Sequence, residues 1–160
     1  MVTPGSESQE WASSEEAPTV PVRPAGLGVR FAARILDSVI VAIVMFCVLS
    51  ILGLRDDVFV LIGLTAAVTY GYFVLCESTW GATLGKRLLG LRVTGPATAR
   101  PSVGQSATRN AFLVVSAIPF LGGVVDLALR IAIAVTIAKS SSKQGLHDRW
   151  AGGTQVQHTS

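Results

Sequence analysis

The run ILDSVIVAIVMFCVLSILGL, residues 35–54, holds a single charge, Asp37, in 20 positions. Wound as a helix at about 1.5 Å per residue, it reaches about 30 Å, the thickness of a bilayer's hydrocarbon core. Arg55, Asp56 and Asp57 interrupt it, and VFVLIGLTAAVTYGYFVLC, residues 58–76, then continues for 19 positions without a charge. Two such runs with three residues between them predict a transmembrane hairpin in an all-α membrane protein. Gly63, Ala67 and Gly71 recur every fourth residue in the second run, which leaves one helix face open to close approach by another helix.

Outward from the hairpin, the composition agrees. The chain has 160 residues, of which only 14% are charged, against about 25% in ordinary soluble domains. Its net charge of +3 is unevenly spread. Residues 1–22 hold four Glu and no Lys or Arg, a net of −4, so the remainder carries +7. Residues 1–25 are rich in Ser, Glu and Pro and read as a disordered acidic tail, with Trp11 as an isolated aromatic. The tail is acidic and lacks an apolar stretch, unlike a secretory leader. Two cysteines rule out a disulfide framework.

Residues 77–110 set Lys86, Arg87, Arg92, Arg100 and Arg109 against one acid, Glu77, while Arg23, Arg30 and Arg34 precede the first run. Short loops rich in Lys and Arg stay in the cytoplasm, so both flanks of the hairpin are expected inside and the Arg55–Asp57 turn outside. The basic loop of Lys86, Arg87, Arg92 and Arg109 reads either as this topology signal or as a surface for anionic lipid headgroups, with residues 88–94 lying along the membrane.

A third apolar region spans about 103–138. A capping box, Ser102-x-x-Gln105, marks a helix start, and apolar residues run from Ala111 to Ile137 around Pro119, Gly122-Gly123, Asp126 and Arg130. Read as one kinked span, it would bury Asp126 and Arg130 at about 2.5–3.5 kcal/mol each, partly recovered by pairing at i,i+4. It would also put Lys139, Lys143 and Arg149 outside. A bend at residues 119–123 instead makes a re-entrant or helical hairpin and returns the C-terminus to the cytoplasm, which the charge rule favours.

Arg30, Arg34 and Asp37 fall at i, i+4 and i+7, on one helical face. An ionisable group in a span is a candidate for ion or proton chemistry, or else a structural pair that fixes helix packing. Other chemistry finds no support. Gly81–Arg87 falls one residue short of a P-loop and has Arg87 where Ser or Thr belongs. His147 and His158 lack partners at metal spacing, so neither metal nor cofactor is expected. No nucleophile elbow accompanies Ser140–Ser142, so the chain does not read as an enzyme. Its positive charge follows membrane flanks, and a nucleic-acid partner is not expected.

Four ordered motifs together resemble the RDD family of bacterial membrane proteins. They are Arg30-Phe-Ala-Ala-Arg-Ile-Leu-Asp37; Thr83-Leu-Gly85-Lys86-Arg87-Leu-Leu-Gly90-Leu-Arg92-Val93; Arg109; and Gln144-Gly-Leu-His147-Asp148-Arg-Trp-Ala-Gly152. The resemblance covers about residues 26–157 and implies one transmembrane domain in the bacterial inner membrane. Gly152-Gly153-Thr154 departs from it, since family members usually have one glycine there. The resemblance makes Arg30, Asp37 and Asp148 the signature charges and implies a role that is unsettled, with ligand transport suggested. A cytoplasmic Asp148 would then meet Arg30 or Arg34 at one membrane face.

Two functions follow as expectations. The first is movement of an ion or small solute, with Asp37 as the intramembrane acid and a homo-oligomer enclosing the path, since so few helices enclose little volume. The second is a non-transporting scaffold or accessory subunit that binds partner proteins or anionic lipid.

Overall fold

The computed structural model describes residues 23–54, 57–115, 117–118 and 121–159. The expected tail at 1–22, with Trp11, lies outside the described residues, as do Arg55, Asp56, Pro119 and Phe120. Two long antiparallel helices, α1 (Leu27–Leu52) and α2 (Val58–Trp80), form the hairpin. α1 ends at Gly53 in the left-handed conformation, and Asp57 caps α2 by accepting from Phe59 N and Val60 N. Both helices exceed the expected runs. α1 starts before the two arginines and α2 passes Glu77, because these charges find partners inside the protein.

Both helices are long and apolar enough to cross a membrane, and only 22% of the apolar window of α1 and 17% of that of α2 are buried. Ile43, Phe46, Ile51, Phe59 and Leu75 all lie exposed. A water-soluble domain does not carry so broad an apolar girdle, whereas lipid-facing helices require one.

The rest of the chain gathers at the end where α1 begins and α2 finishes. A five-residue helix, α3 (Leu84–Leu88), leads into β1 (Leu91–Thr94); α4 (Val103–Asn110), α5 (Phe112–Val115) and α6 (Gly122–Lys139) follow, then α7 (Leu146–Trp150) and β2 (Gln155–His158). β1 and β2 pair antiparallel with Val93 opposite Val156, and Pro24 bridges to Gln157. This small sheet corrects the all-α expectation. Its cause is a period-2 pattern: Leu91, Val93 and Val156 point into a core with Ala25 and Ala33, while their neighbours face out. Residues 88–94 therefore do not lie along a membrane surface as one segment, since of the four apolar residues Leu88, Leu89, Leu91 and Val93 only Leu88 is exposed. Arg23–Ala25 also belong to the folded part, with His158 N donating to Arg23 O and Ala25 N to Val156 O.

The third apolar region is three helices. The Ser102–Gln105 capping box starts α4, with bonds of 3.2 and 2.9 Å; α5 ends at Val115 and α6 begins at Gly122. α5 packs against both α6 and α2. α6 has 18 residues, about 27 Å, and exposes Val124, Leu127, Ile131 and Val135 beside its charges Asp126, Arg130 and Lys139.

Candidate functional site

Three buried carboxylates organise the end of the hairpin, and each is held by residues distant in sequence. Asp148 sits in the first turn of α7. Arg30 Nη1, from the first turn of α1, lies 2.9 Å from its Oδ2, and Gly145 N donates to the same oxygen at 3.0 Å. Arg109 Nη2, near the end of α4, lies 3.1 Å from Oδ1. Arg30 also donates to Ala25 O and Val156 O, so one guanidinium ties α1 to β2 and α7. Burial works to raise the Asp148 pKa, but Arg109 and Arg30 outweigh it and hold the carboxyl well below its ordinary range. The His147 ring, 3.5 Å from Asp148 Oδ1 and edge-on to Phe112, is the opposite case: burial pushes its pKa down to about 3, so it is neutral at pH 7.

Glu77 is fully buried on α2 and forms an ion pair with Lys86 of α3. Asn110 Nδ2 donates to its other oxygen at 3.0 Å, and Arg109 Nε approaches that oxygen at 3.9 Å. Arg109 thus stands between Asp148 and Glu77. The resulting lattice alternates in sign from Arg30 through Asp148, Arg109 and Glu77 to Lys86, which lets five desolvated charges coexist.

Asp37 is fully buried too, yet no cation pairs with it among the described residues. Tyr72 Oη (2.8 Å) and Gly85 N (2.8 Å) donate to Oδ1, and Thr83 Oγ1 (2.6 Å) donates to Oδ2. Tyr72 Oη in turn accepts from Leu84 N. Asp37 is therefore a bracket that fastens the first turn of α3 to α1 and α2. Arg34 turns elsewhere, its guanidinium carbon 3.8 Å from the Phe73 ring centroid, a cation–π contact.

Alongside this lattice, a cleft of about 500 Å³ opens between α1 and α2. Ser38, Thr65 and Thr69 put hydroxyls in its wall, and Arg130 of α6 puts a guanidinium there, paired at 2.6 Å with Asp126 one turn earlier. The remaining wall is apolar and includes Val41, Ala66 and Leu113. Thr69 and Ser38 donate to helix carbonyls, at 2.6 and 2.8 Å, and so remain acceptors.

Of the expected residues, the structure brings Arg30, Asp148 and Arg109 together, sends Arg34 and Asp37 to separate partners, and pairs Asp126 with Arg130. The basic loop divides: Lys86 and Arg109 are buried in ion pairs, while Arg87 and Arg92 are exposed. Glu77, Tyr72, Thr83 and Gly85 do not stand out in the sequence, although Glu77 is the one acid in 77–110 and so the natural counterion. Among the described residues, no three His, Cys, Asp or Glu side chains gather to hold a metal. Both Gly152 and Gly153 take positive φ, 82° and 91°, in the turn between α7 and β2, which accommodates the extra glycine.

The family model described as RDD family matches residues 24–152. The uncharacterized protein YxaI of Bacillus subtilis (strain 168) is 29% identical over 154 residues, covering 79% of this chain and 92% of that protein. No solved structure matches the chain.

Proposed function

This chain belongs to the RDD family of membrane proteins, and from that premise we propose that it admits a small solute, preferentially an anion, into the cleft between α1 and α2. The observation that carries this reading is the wall of that cleft: three hydroxyls and the Arg130 guanidinium in an otherwise apolar enclosure between two lipid-length helices. A guanidinium at such depth is costly and is retained where it meets an anion or a polar path. The centre of interest thereby moves to Arg130 from Asp37, whose carboxylate already serves three donors of the protein itself.

The reading includes an orientation in the bacterial inner membrane. The end bearing Arg23, Arg87, Arg92, Arg100 and Arg149 faces the cytoplasm, with both termini, and α6 returns toward it. A second copy completes the enclosure, because the cleft is open on one side. Among the described residues, Gly63 and Gly71 have no atom within 4 Å of an added β-carbon, so this face of α2 is open to a neighbour.

The test is flux in proteoliposomes under chloride, small organic anion, Na⁺, K⁺ and H⁺ gradients, with wild type, Arg130→Gln and Thr65→Val/Thr69→Val. Anion flux that falls in both variants supports the reading, and cation flux that persists in both overturns the assignment to this cleft. No flux above empty liposomes favours the second reading, a non-transporting scaffold. One observation supports that alternative: the signature charges Arg30, Asp37 and Asp148 all end on internal partners.

A further inference from the structure

Arg87, Arg92 and Arg100 converge on a second cleft, of about 500 Å³, whose wall also holds Thr79, Trp80 and Thr159 and no acid. None of the three arginines pairs with a carboxylate among the described residues. Arg100 donates to Thr79 O, one of the unsatisfied carbonyls ending α2, which anchors its side chain and leaves further N–H groups free. Gly81 makes the convergence possible: it caps α2 at φ +70°, and a β-carbon there would lie 3.1 Å from Arg100 Cγ and 3.2 Å from Arg92 Nε. Three guanidiniums around one opening repel each other unless an anion joins them, and their planar forks match phosphate oxygens.

The surroundings identify the source of that phosphate. Trp80, 55% exposed, stands at the end of a lipid-length helix, where interfacial tryptophans belong. Leu84 and Leu88, one turn apart on α3, flank Arg87 and are 41% and 71% exposed. Apolar side chains beside unpaired cations are the pattern of a segment seated at the headgroup level. We infer that the Arg87–Arg92–Arg100 cleft binds the phosphate-bearing headgroup of an anionic phospholipid, with Trp80, Leu84 and Leu88 against its acyl chains. The inference rests on the membrane placement proposed above, and not on flux through the Arg130 cleft.

Trp80 itself reports the occupant. The full chain with Trp11→Phe and Trp150→Phe keeps Trp80 as its sole tryptophan. It is reconstituted with lipids brominated in the tail, either phosphatidylglycerol or phosphatidylcholine. The expected result is Trp80 quenching by brominated phosphatidylglycerol at about tenfold lower mole fraction than by the choline lipid, a preference removed by Arg87→Gln/Arg92→Gln. These side chains are exposed, so the protein should remain folded, and the thermal midpoint checks this. Lys143→Gln/Arg149→Gln, an equal change in net charge elsewhere, should leave the preference intact, and its loss there would overturn a localised site. Equal quenching by both lipids overturns the headgroup site but keeps this face at the bilayer. No quenching by either overturns the membrane placement as well. Reversal of the preference by millimolar inorganic phosphate alone assigns the cleft to a free phosphate compound and overturns the lipid.

Discussion

Gly85 N donates a 2.8 Å hydrogen bond to Asp37 Oδ1, and a β-carbon on Gly85 would fall 2.9 Å from Asp37 Cγ and 2.4 Å from the Ala33 carbonyl oxygen. α1 and α3 therefore meet backbone to backbone, and only glycine fits between them. Asp37 of α1 and Gly85 of α3, 48 residues apart, form one joint.

That joint gives two unequal expectations. Gly85→Ala must displace backbone and should cost about 2 kcal/mol or more, as overpacked cores do. Asp37→Asn keeps one acceptor oxygen but turns an NH2 toward a donor, at about 1–3 kcal/mol. Thermal midpoints in detergent check both. A full-stability Asp37→Asn that abolishes flux would make Asp37 a transport residue after all.

The ion pair between Arg30 and Asp148 joins residues 118 apart at 2.9 Å, both buried. Removing either partner strands the other, so Arg30→Ala and Asp148→Ala should each cost about 3–5 kcal/mol. A simple charge swap, Arg30→Asp with Asp148→Arg, is not expected to restore stability. The new cation would face Arg109, now 3.1 Å from Oδ1, and would lose the bond from Gly145 N. A double-mutant cycle reads this directly, and full rescue by the swap would remove Arg109 from the lattice.

The long apolar runs are legible because a nearly charge-free stretch of bilayer length has little use outside a membrane, and Asp148 is legible as a partner for the arginines at the start of α1. The small sheet is not, although Leu91-Arg-Val-Thr and Gln155-Val-Gln-His each alternate apolar and polar residues. Four-residue strands formed 61 residues apart carry too little periodicity to stand out beside basic loops. Helical spacing groups Asp37 with Arg30 and Arg34 on one face, but spacing within one helix does not reveal donors arriving from another. Thr83 and Gly85 look like loop residues, and only the tertiary approach of α3 makes them ligands of the carboxylate. Arg130 is visible as a charge in an apolar run, while the cleft it lines exists only once α1 and α2 are set apart.

His147 gives the protein an acid sensitivity with a defined window. Its folded-state pKa, about 3, lies below the ordinary 6.5 of an unfolded chain, so the unfolded state binds a proton that the folded state refuses. Stability is then intact above about pH 6.5 and falls by about 1.4 kcal/mol per pH unit as pH drops through the window. Asp148, also depressed, adds loss only below its ordinary 3.8. Thermal midpoints between about pH 7.5 and 4.5 should decline for wild type and flatten for His147→Gln. A parallel decline in both would place the titrating group elsewhere.

Arg130 separates structure from function most cleanly. Its pair with Asp126 is an i,i+4 contact within α6, and the Arg130 side chain is 41% exposed, unlike the Arg30–Asp148 and Lys86–Glu77 pairs with their fully buried carboxylates. The pair joins two turns of the same helix, so Arg130→Gln breaks no tie between elements and should shift the thermal midpoint less than the loss of a strut between them. Glu77→Gln, which leaves buried Lys86 without its counterion, should cost several-fold more. If Arg130 serves the cleft, its substitution lowers anion flux at unchanged stability, and Arg130→Lys retains part of that flux as a point charge without the fork. A midpoint that falls as far for Arg130→Gln as for Glu77→Gln would make Arg130 another strut of the lattice, and the cleft would lose its cation as a functional group.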